Sequence, residues 1–212
     1  MQLYTYFRSS AAYRVRIALN LKGLKANLIP IHLVNHGGEQ HSAAYRQLNP
    51  TELVPTWVED QFILTQSLSM IEYLDEKYCD NPLLPQDIQQ RALIRAFSLS
   101  IACDIHPLNN LRVLKYLKNE LHLTEDQKNT WYQHWVSIGL AGLEAQLVQS
   151  NGKFCFGDQP TMADCCLIPQ VYNAERFNID LTLYPKIQSI YAHCTQLDAF
   201  KKAEPQAQPD AA

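Results

Sequence analysis

Charged side chains are scarce in this chain of 212 residues: Asp, Glu, Lys and Arg make up 18%, below the usual quarter. With 18 basic against 21 acidic residues the net charge is −3, which excludes a polycationic surface for nucleic acid. Hydrophobic residues at 47% exclude bulk disorder and supply the core of one large domain or two small ones. No apolar run approaches the roughly 18 residues that a bilayer-spanning helix needs, so no membrane partner is expected. The first residues, MQLYTYFRSSAAYRV, lack the basic start and apolar stretch of a secretory signal. Six cysteines, at 79, 103, 155, 165, 166 and 194, include no C-x-x-C pair, and there is no H-E-x-x-H. Neither a zinc site nor a disulfide framework follows, no metal is expected, and the cysteines read as buried, reduced thiols of a cytoplasmic protein. Without G-x-G-x-x-G, a P-loop or G-x-S-x-G, nucleotide binding and the serine-hydrolase elbow have no local support.

One absence is local. No acidic residue precedes Glu39, whereas Arg8, Arg14, Arg16, Lys22 and Lys25 all do. Residues 1–38 thus carry +5, and the remainder, with 13 basic and 21 acidic side chains, carries −8. An acidic chain begins with a cationic segment suited to meeting an anion.

Residues 2–6 read as a first strand. Ala11–Lys22 reads as a helix with a serine N-cap and Gly23 as its C-cap signal. Ala26–Leu33 reads as a second strand, in which Pro30 implies an edge or a bulge. A short helix over Ser42–Leu48 stops at Asn49-Pro50; Val54–Val58 and Phe62–Leu64 form a hairpin; Gln66-Ser67 opens another helix. The order β-α-β-α-β-β-α predicts a layered unit. The Pro-bearing segment Cys79–Pro85 marks a boundary, beyond which long helical stretches run over Gln86–Glu120, interrupted at Pro107, and over Thr124–Ser150. Thr161-Met-Ala-Asp164 resembles a capping box opening a helix through Phe177, and a last helix extends from Pro185 to about Phe200. The polar tail from Glu204 is expected to fray.

Chemistry concentrates in Arg8-Ser9-Ser10-Ala11-Ala12-Tyr13-Arg14-Val15-Arg16. Two hydroxyls at a strand-to-helix junction stand beside unpaired N–H groups and the positive end of a helix dipole. Arg8 and Arg14 add charge, and every one of these factors lowers the pKa of a thiol brought there. From spacing alone, the segment reads as a plain serine cap with solvated arginines.

Ser9 to Leu19 resembles the S-S-C-x-[W/H/Y]-R-V-R-I-A-L signature of zeta-class glutathione transferases, which include the maleylacetoacetate isomerases. The similarity continues through Leu48-Asn49-Pro50, Val54-Pro55-Thr56, Gln66-Ser67-Leu68, Leu84-Pro85-Gln86-Asp87, Thr161–Asp164 and Asn173–Phe177, nearly the whole chain in order. It implies an α+β protein: a thioredoxin-like glutathione-binding domain, residues 1–80, then an all-α domain, residues 86–212, carrying part of the substrate site. It also implies glutathione as cofactor, a small dicarboxylate keto acid as substrate, and a homodimer.

The resemblance carries roles with it. Ser9 or Ser10 would hold the glutathione sulfur as thiolate, Ser9 being the first choice, with Arg14 beside them. Val54, ahead of a cis Pro55, would pair with the cysteinyl backbone, and Gln66-Ser67 would receive the γ-glutamyl carboxylate. Gln40, His106, Asn110 and Arg112 match glutathione contacts, and Arg8 and Arg176 match residues that hold substrate carboxylates. As plain sequence His106 reads as a structural histidine and Arg176 as a surface arginine. One departure matters: the signature cysteine is Ala11 here, so a participating thiol comes from the bound tripeptide. Ala11 also resembles the glutathione-dependent maleylpyruvate isomerase branch. Maleylacetoacetate is the leading substrate, maleylpyruvate the second, a general glutathione transferase the third. A non-catalytic binding protein would have no need of the whole serine, Val-Pro and Gln-Ser set.

Overall fold

The computed structural model describes residues 1–211. The chain divides into two compact units, residues 1–85 with 195–212, and residues 86–194. The resemblance implies a helical domain that runs on from residue 86 through the tail; here residues 195–211 group with the N-terminal unit instead.

The first unit is built on β1 (Gln2–Thr5), α1 (Ser10–Leu21), β2 (Asn27–Pro30), α2 (Ala43–Leu48), β3 (Thr56–Glu59), β4 (Phe62–Thr65) and α3 (Ser67–Lys77). The sheet order is β2-β1-β3-β4, with β1 parallel to β2 and antiparallel to β3. β2 is the edge that Pro30 requires, since proline has no N–H to give to a further strand. β3 and β4 are joined by Asp60-Gln61, where Asp60 has φ 53°, a conformation aspartate tolerates. Leu3, Trp57, Met70, Ile71 and Leu74 are fully buried.

α1 is covered on more than one side, by α3 and by α9 (Asp198–Lys201), and its cations are buried with it. Arg14, Arg16 and Lys22 are 2%, 3% and 6% exposed, against the expectation of solvated arginines. Each therefore has to find acceptors inside the protein. Lys22 Nζ meets Asp75 Oδ1 at 2.8 Å and the Asp80 carbonyl at 3.0 Å. Asp75 in turn accepts the N–H groups of Leu83 (2.7 Å) and Leu84 (3.0 Å), fastening the Pro-bearing segment to α3.

The tail is not frayed. Ala203, Pro205 and Gln208 are buried. Asn20 Nδ2 donates to the Ala199 carbonyl at 2.8 Å, and the Phe7 N–H donates to Asp210 Oδ2 at 2.9 Å. The polar composition misled because these polar groups bond to protein rather than to water.

The second unit holds α4 (Ile88–Leu99), α5 (Leu111–Asn119), α6 (Glu125–Leu147), α7 (Met162–Arg176) and α8 (Pro185–Cys194). The long stretch ending at Glu120 is broken, as Pro107 requires, by a π-type turn over Ser100–Ile105 and a 3-10 turn over His106–Asn109. The predicted last helix is likewise two pieces, α8 and the short α9. α7 is buried from Met162 to Val171, and the capping box is present. Asp164 is fully buried and accepts the N–H groups of Thr161 and Cys155, both at 2.8 Å. The six cysteines are unbridged thiols; Cys155, Cys165, Cys166 and Cys194 are buried, but Cys79 and Cys103 are exposed, correcting a uniform reading as buried.

Removing one partner of a buried ion pair strands the other. Asp75→Ala is therefore expected to lower the unfolding free energy by about 3–5 kcal/mol, measured by urea denaturation. A loss below about 1 kcal/mol, the range of surface pairs, would show that the pair does not hold the first unit together.

Candidate functional site

Ser9 sits where β1's extension turns into α1. Its N–H donates to the Tyr6 carbonyl at 2.9 Å, and its Oγ accepts the Ala12 N–H at 3.2 Å. This is an N-cap bond, and it leaves the hydroxyl proton available to a ligand. Ser9 is half-buried, whereas Ser10, the first helical residue, is 5% exposed. Arg8 is exposed, its guanidinium carbon 4.9 Å from the Phe7 ring centroid.

Arg14 Nη1 donates to the Ser67 hydroxyl at 3.2 Å, so the structure brings together two residues that sequence had placed in separate motifs. Arg16 corrects the expectation of a cationic patch around the serines. It donates to the Ala203 carbonyl (3.0 Å), Thr5 Oγ1 (3.0 Å), the Tyr6 carbonyl (3.3 Å) and the Phe7 carbonyl (3.0 Å). Burial lowers its pKa to about 10, so it stays charged at neutral pH, and that charge is spent on the fold.

The Val54–Pro55 bond is cis. Val54 lies outside the sheet, whose β3 begins at Thr56. Tyr45 Oη reaches the Leu53 carbonyl at 2.6 Å and Thr56 Oγ1 at 2.8 Å; Asn49 Nδ2 donates to the same two acceptors at 2.7 and 3.1 Å. A buried Tyr–Asn–Thr set thus holds the turn from both sides. Sequence reasoning missed it, because three uncharged residues with no motif spacing draw no attention. The usable signal was an asparagine at a helix end, just ahead of Pro50.

Gln66 has φ 72° and ψ 115° and makes no side-chain cap bond, so it is not an ordinary helix cap. α3 begins at Ser67 without a cap bond from the Gln66 side chain to its first N–H groups, the arrangement that attracts a carboxylate. Gln40 is buried, with Nε2 3.0 Å from His41 Nε2 and Oε1 lacking a hydrogen-bond partner among the described residues. Gly38 makes room for it: with φ 113°, a Cβ there would lie 2.5 Å from Gln40 Nε2. His41 Nδ1 bonds Glu52, which Arg46 Nε also holds at 2.9 Å. The bonds from His41 and Arg46 keep the Glu52 carboxyl below its ordinary range. That chain of side chains was also unread from sequence. His32 and His36 stand at i, i+4 spacing, yet they lie outside any α-helix, and His32 Nδ1 accepts the N–H groups of Val34 and Asn35.

In the second unit, His106 and Asn110 come together at the helix break, Nδ2 of Asn110 lying 3.3 Å from His106 Nε2. Asn110 caps α5 by accepting the Arg112 N–H at 3.1 Å, and Arg112 itself is exposed. α6 fixes the break: Trp131 Nε1 donates to the Leu108 carbonyl at 2.8 Å, and a Cβ on Gly139 would lie 2.4 Å from Ile105 Cδ1. Arg176 ends α7 on a separate element, exposed, its Nη1 3.3 Å from Asn173 Oδ1. Its guanidinium lies 6.0 Å from the rings of Tyr172 and Phe177, and Phe177 is stacked on Tyr132 at 3.6 Å.

The model of the glutathione S-transferase N-terminal domain matches residues 3–82, and that of the C-terminal domain residues 139–193. A probable maleylacetoacetate isomerase of Vibrio cholerae serotype O1 is 49% identical over 209 residues, 99% of this chain and 97% of the relative. The holo structure of maleyl pyruvate isomerase, a bacterial zeta-class glutathione transferase, is 44% identical, with a TM-score of 0.96 over 100% of both chains. A maleylacetoacetate isomerase of Anaeromyxobacter dehalogenans, solved with bound dicarboxyethyl glutathione and citrate, is 37% identical. Its TM-score is 0.88, over 100% of this chain and 97% of that one. Sequence, fold and both domain matches agree, and the chain belongs to the zeta-class glutathione transferase family.

Proposed function

We propose that this chain is a glutathione-dependent cis–trans isomerase of maleyl keto acids, with maleylacetoacetate as its substrate. The observation that carries the reading is Ser9, a helix cap whose hydroxyl keeps a proton to donate at the positive end of α1. The residues also fit the tripeptide. Gln40 Oε1 is a buried acceptor without a hydrogen-bond partner among the described residues, and the Gln66 side chain does not cap the start of α3. When bound, glutathione supplies the thiolate whose reversible addition to the conjugated alkene allows rotation about the former double bond. Dicarboxyethyl glutathione in the Anaeromyxobacter dehalogenans relative is the kind of thioether that such an addition gives.

Each residue then has a task. Ser9 donates to the sulfur, with Ser10 buried behind it. Arg14 holds Ser67 in place, and Ser67 with Gln66 receives the γ-glutamyl carboxylate. Val54 pairs with the cysteinyl backbone, Gln40 donates or accepts beside it, and His106, Asn110 and Arg112 complete the glutathione contacts from the helical unit. Arg8 and Arg176 hold the substrate carboxylates and balance the negative charge that develops at the ketone oxygen. Maleylpyruvate is the second reading, favoured by Ala11 and by the TM-score of 0.96 to a maleyl pyruvate isomerase. Exposed apolar residues in each unit, Phe62 and Ile63 on β4 and Ile88 and Leu93 on α4, support homodimerisation, and the enzyme is assigned to the cytoplasm.

Isomerisation of the two maleyl keto acids, followed with and without glutathione, tests the reading. Turnover of one or both that needs glutathione is expected; full turnover without it would refute the thiolate chemistry. Arg176→Ala is expected to raise KM for the keto acid roughly 10- to 100-fold, the cost of one charge-assisted hydrogen bond, while glutathione binding is unchanged. Equal weakening of both ligands, measured by calorimetry, would remove Arg176 from the substrate site.

A further inference from the structure

Phe7-Arg8-Ser9 joins β1 to α1, and on the proposed reading it carries both the serine at the sulfur and an arginine at the substrate. Two charged side chains hold this connection. Arg16 Nη1 and Nη2 take the carbonyls of Tyr6 (3.3 Å) and Phe7 (3.0 Å), while its Nε takes the carbonyl of Ala203 in the tail at 3.0 Å. From the tail itself, Asp210 Oδ2 accepts the Phe7 N–H at 2.9 Å. Both polar groups of Phe7 are therefore fixed by side chains, one from α1 and one from the end of the chain.

A strand-to-helix connection can satisfy its polar groups with water, and a polar tail is ordinarily left in solvent. Here Asp210 Oδ1 is buried without a hydrogen-bond partner among the described residues. A carboxylate kept in that setting is spending its remaining capacity on the Phe7 amide and on the attraction of nearby Arg16. Gln208 Nε2 donates to the carbonyls of Lys202 and Glu204, both at 2.9 Å, closing the tail into a fold that presents Asp210.

We propose that the C-terminal tail is a latch for the active-site connection, with Asp210 the positioning residue that sets Ser9 and Arg8 through the Phe7 amide. The inference rests on the glutathione reading of Ser9. Asp210 touches neither sulfur nor substrate; it acts through the backbone one residue ahead of Arg8.

The test compares Asp210→Ala, which removes the acceptor, with Asp210→Asn, which removes the charge but keeps an acceptor of the same reach. In the chain without glutathione, exchange of the Phe7 amide is expected to accelerate about tenfold or more in Asp210→Ala, the worth of one hydrogen bond to a charged group. With glutathione bound, the ultraviolet absorbance of its thiolate is expected to titrate at higher pH in Asp210→Ala, because Ser9 is no longer held to donate. Simple loss of a negative charge would move that titration to lower pH, so the sign separates positioning from electrostatics. Asp210→Asn is expected to restore both readouts to near the unaltered chain, even if Asp210→Ala folds poorly. Unchanged exchange and titration in Asp210→Ala, or Asn behaving as Ala does, would overturn the latch while leaving the isomerase reading intact. An unaltered chain that binds no glutathione would overturn the functional reading and the latch together.

Discussion

Three cations on one buried helix organise the N-terminal unit. α1 carries Arg14 and Arg16, and its C-cap is Lys22, at 2%, 3% and 6% exposure, and a buried charge has to be matched by acceptors of its own. Each is matched by a different part of the chain. Arg14 reaches the start of α3 at Ser67, Lys22 reaches Asp75 near the end of α3 and the carbonyl of Asp80, and Arg16 reaches the β1–α1 connection and Ala203. The helix is thereby a frame: wherever it lies, the first residue of α3, the Pro-bearing segment and the tail are fixed with it.

The helical unit solves a related problem with an anion. Asp164 is fully buried, and burial pushes its carboxyl up while the N–H groups of Cys155 and Thr161 oppose the shift. A group so placed ties the start of α7 to the preceding loop, and α7 in turn ends at Arg176. The break carrying His106 and Asn110 is held separately, by Trp131 and by the close approach that Gly139 permits. Candidate residues in both units are thus presented by elements that polar bonds tie to distant parts of the same unit.

Much of this was legible in the sequence, and the failures share one cause. The order of elements along the chain, the disturbance at Pro30, the Pro107 break and the Thr161–Asp164 box were readable because proline, turn chemistry and capping act over a few residues. The fate of Arg16 and of the tail was not, because it depends on residues 187 positions apart in the chain. A +5 segment looks like a site for an anion until one sees that three of its five charges face the protein's own carbonyls, hydroxyls and Asp75. The Tyr45–Asn49–Thr56 set escaped for the same reason: its spacing means nothing until the Leu53 carbonyl is placed between those side chains.

That division of charge bears on Ala11. A protein thiol beside Ser9 would need the positive environment that α1 offers, yet Arg16 is committed elsewhere and position 11 carries a methyl group. The chain's buried thiols are poor substitutes. Burial pushes Cys155 and Cys194 well up from the ordinary thiol range, and Asp164 adds to the effect, so they stay protonated and unreactive. What the helix start retains is Ser9's donor proton, the first N–H groups of α1 and the exposed charge of Arg8. That set favours an incoming anionic sulfur and gives the chain no such sulfur of its own, which is why the proposed chemistry draws its nucleophile from the ligand.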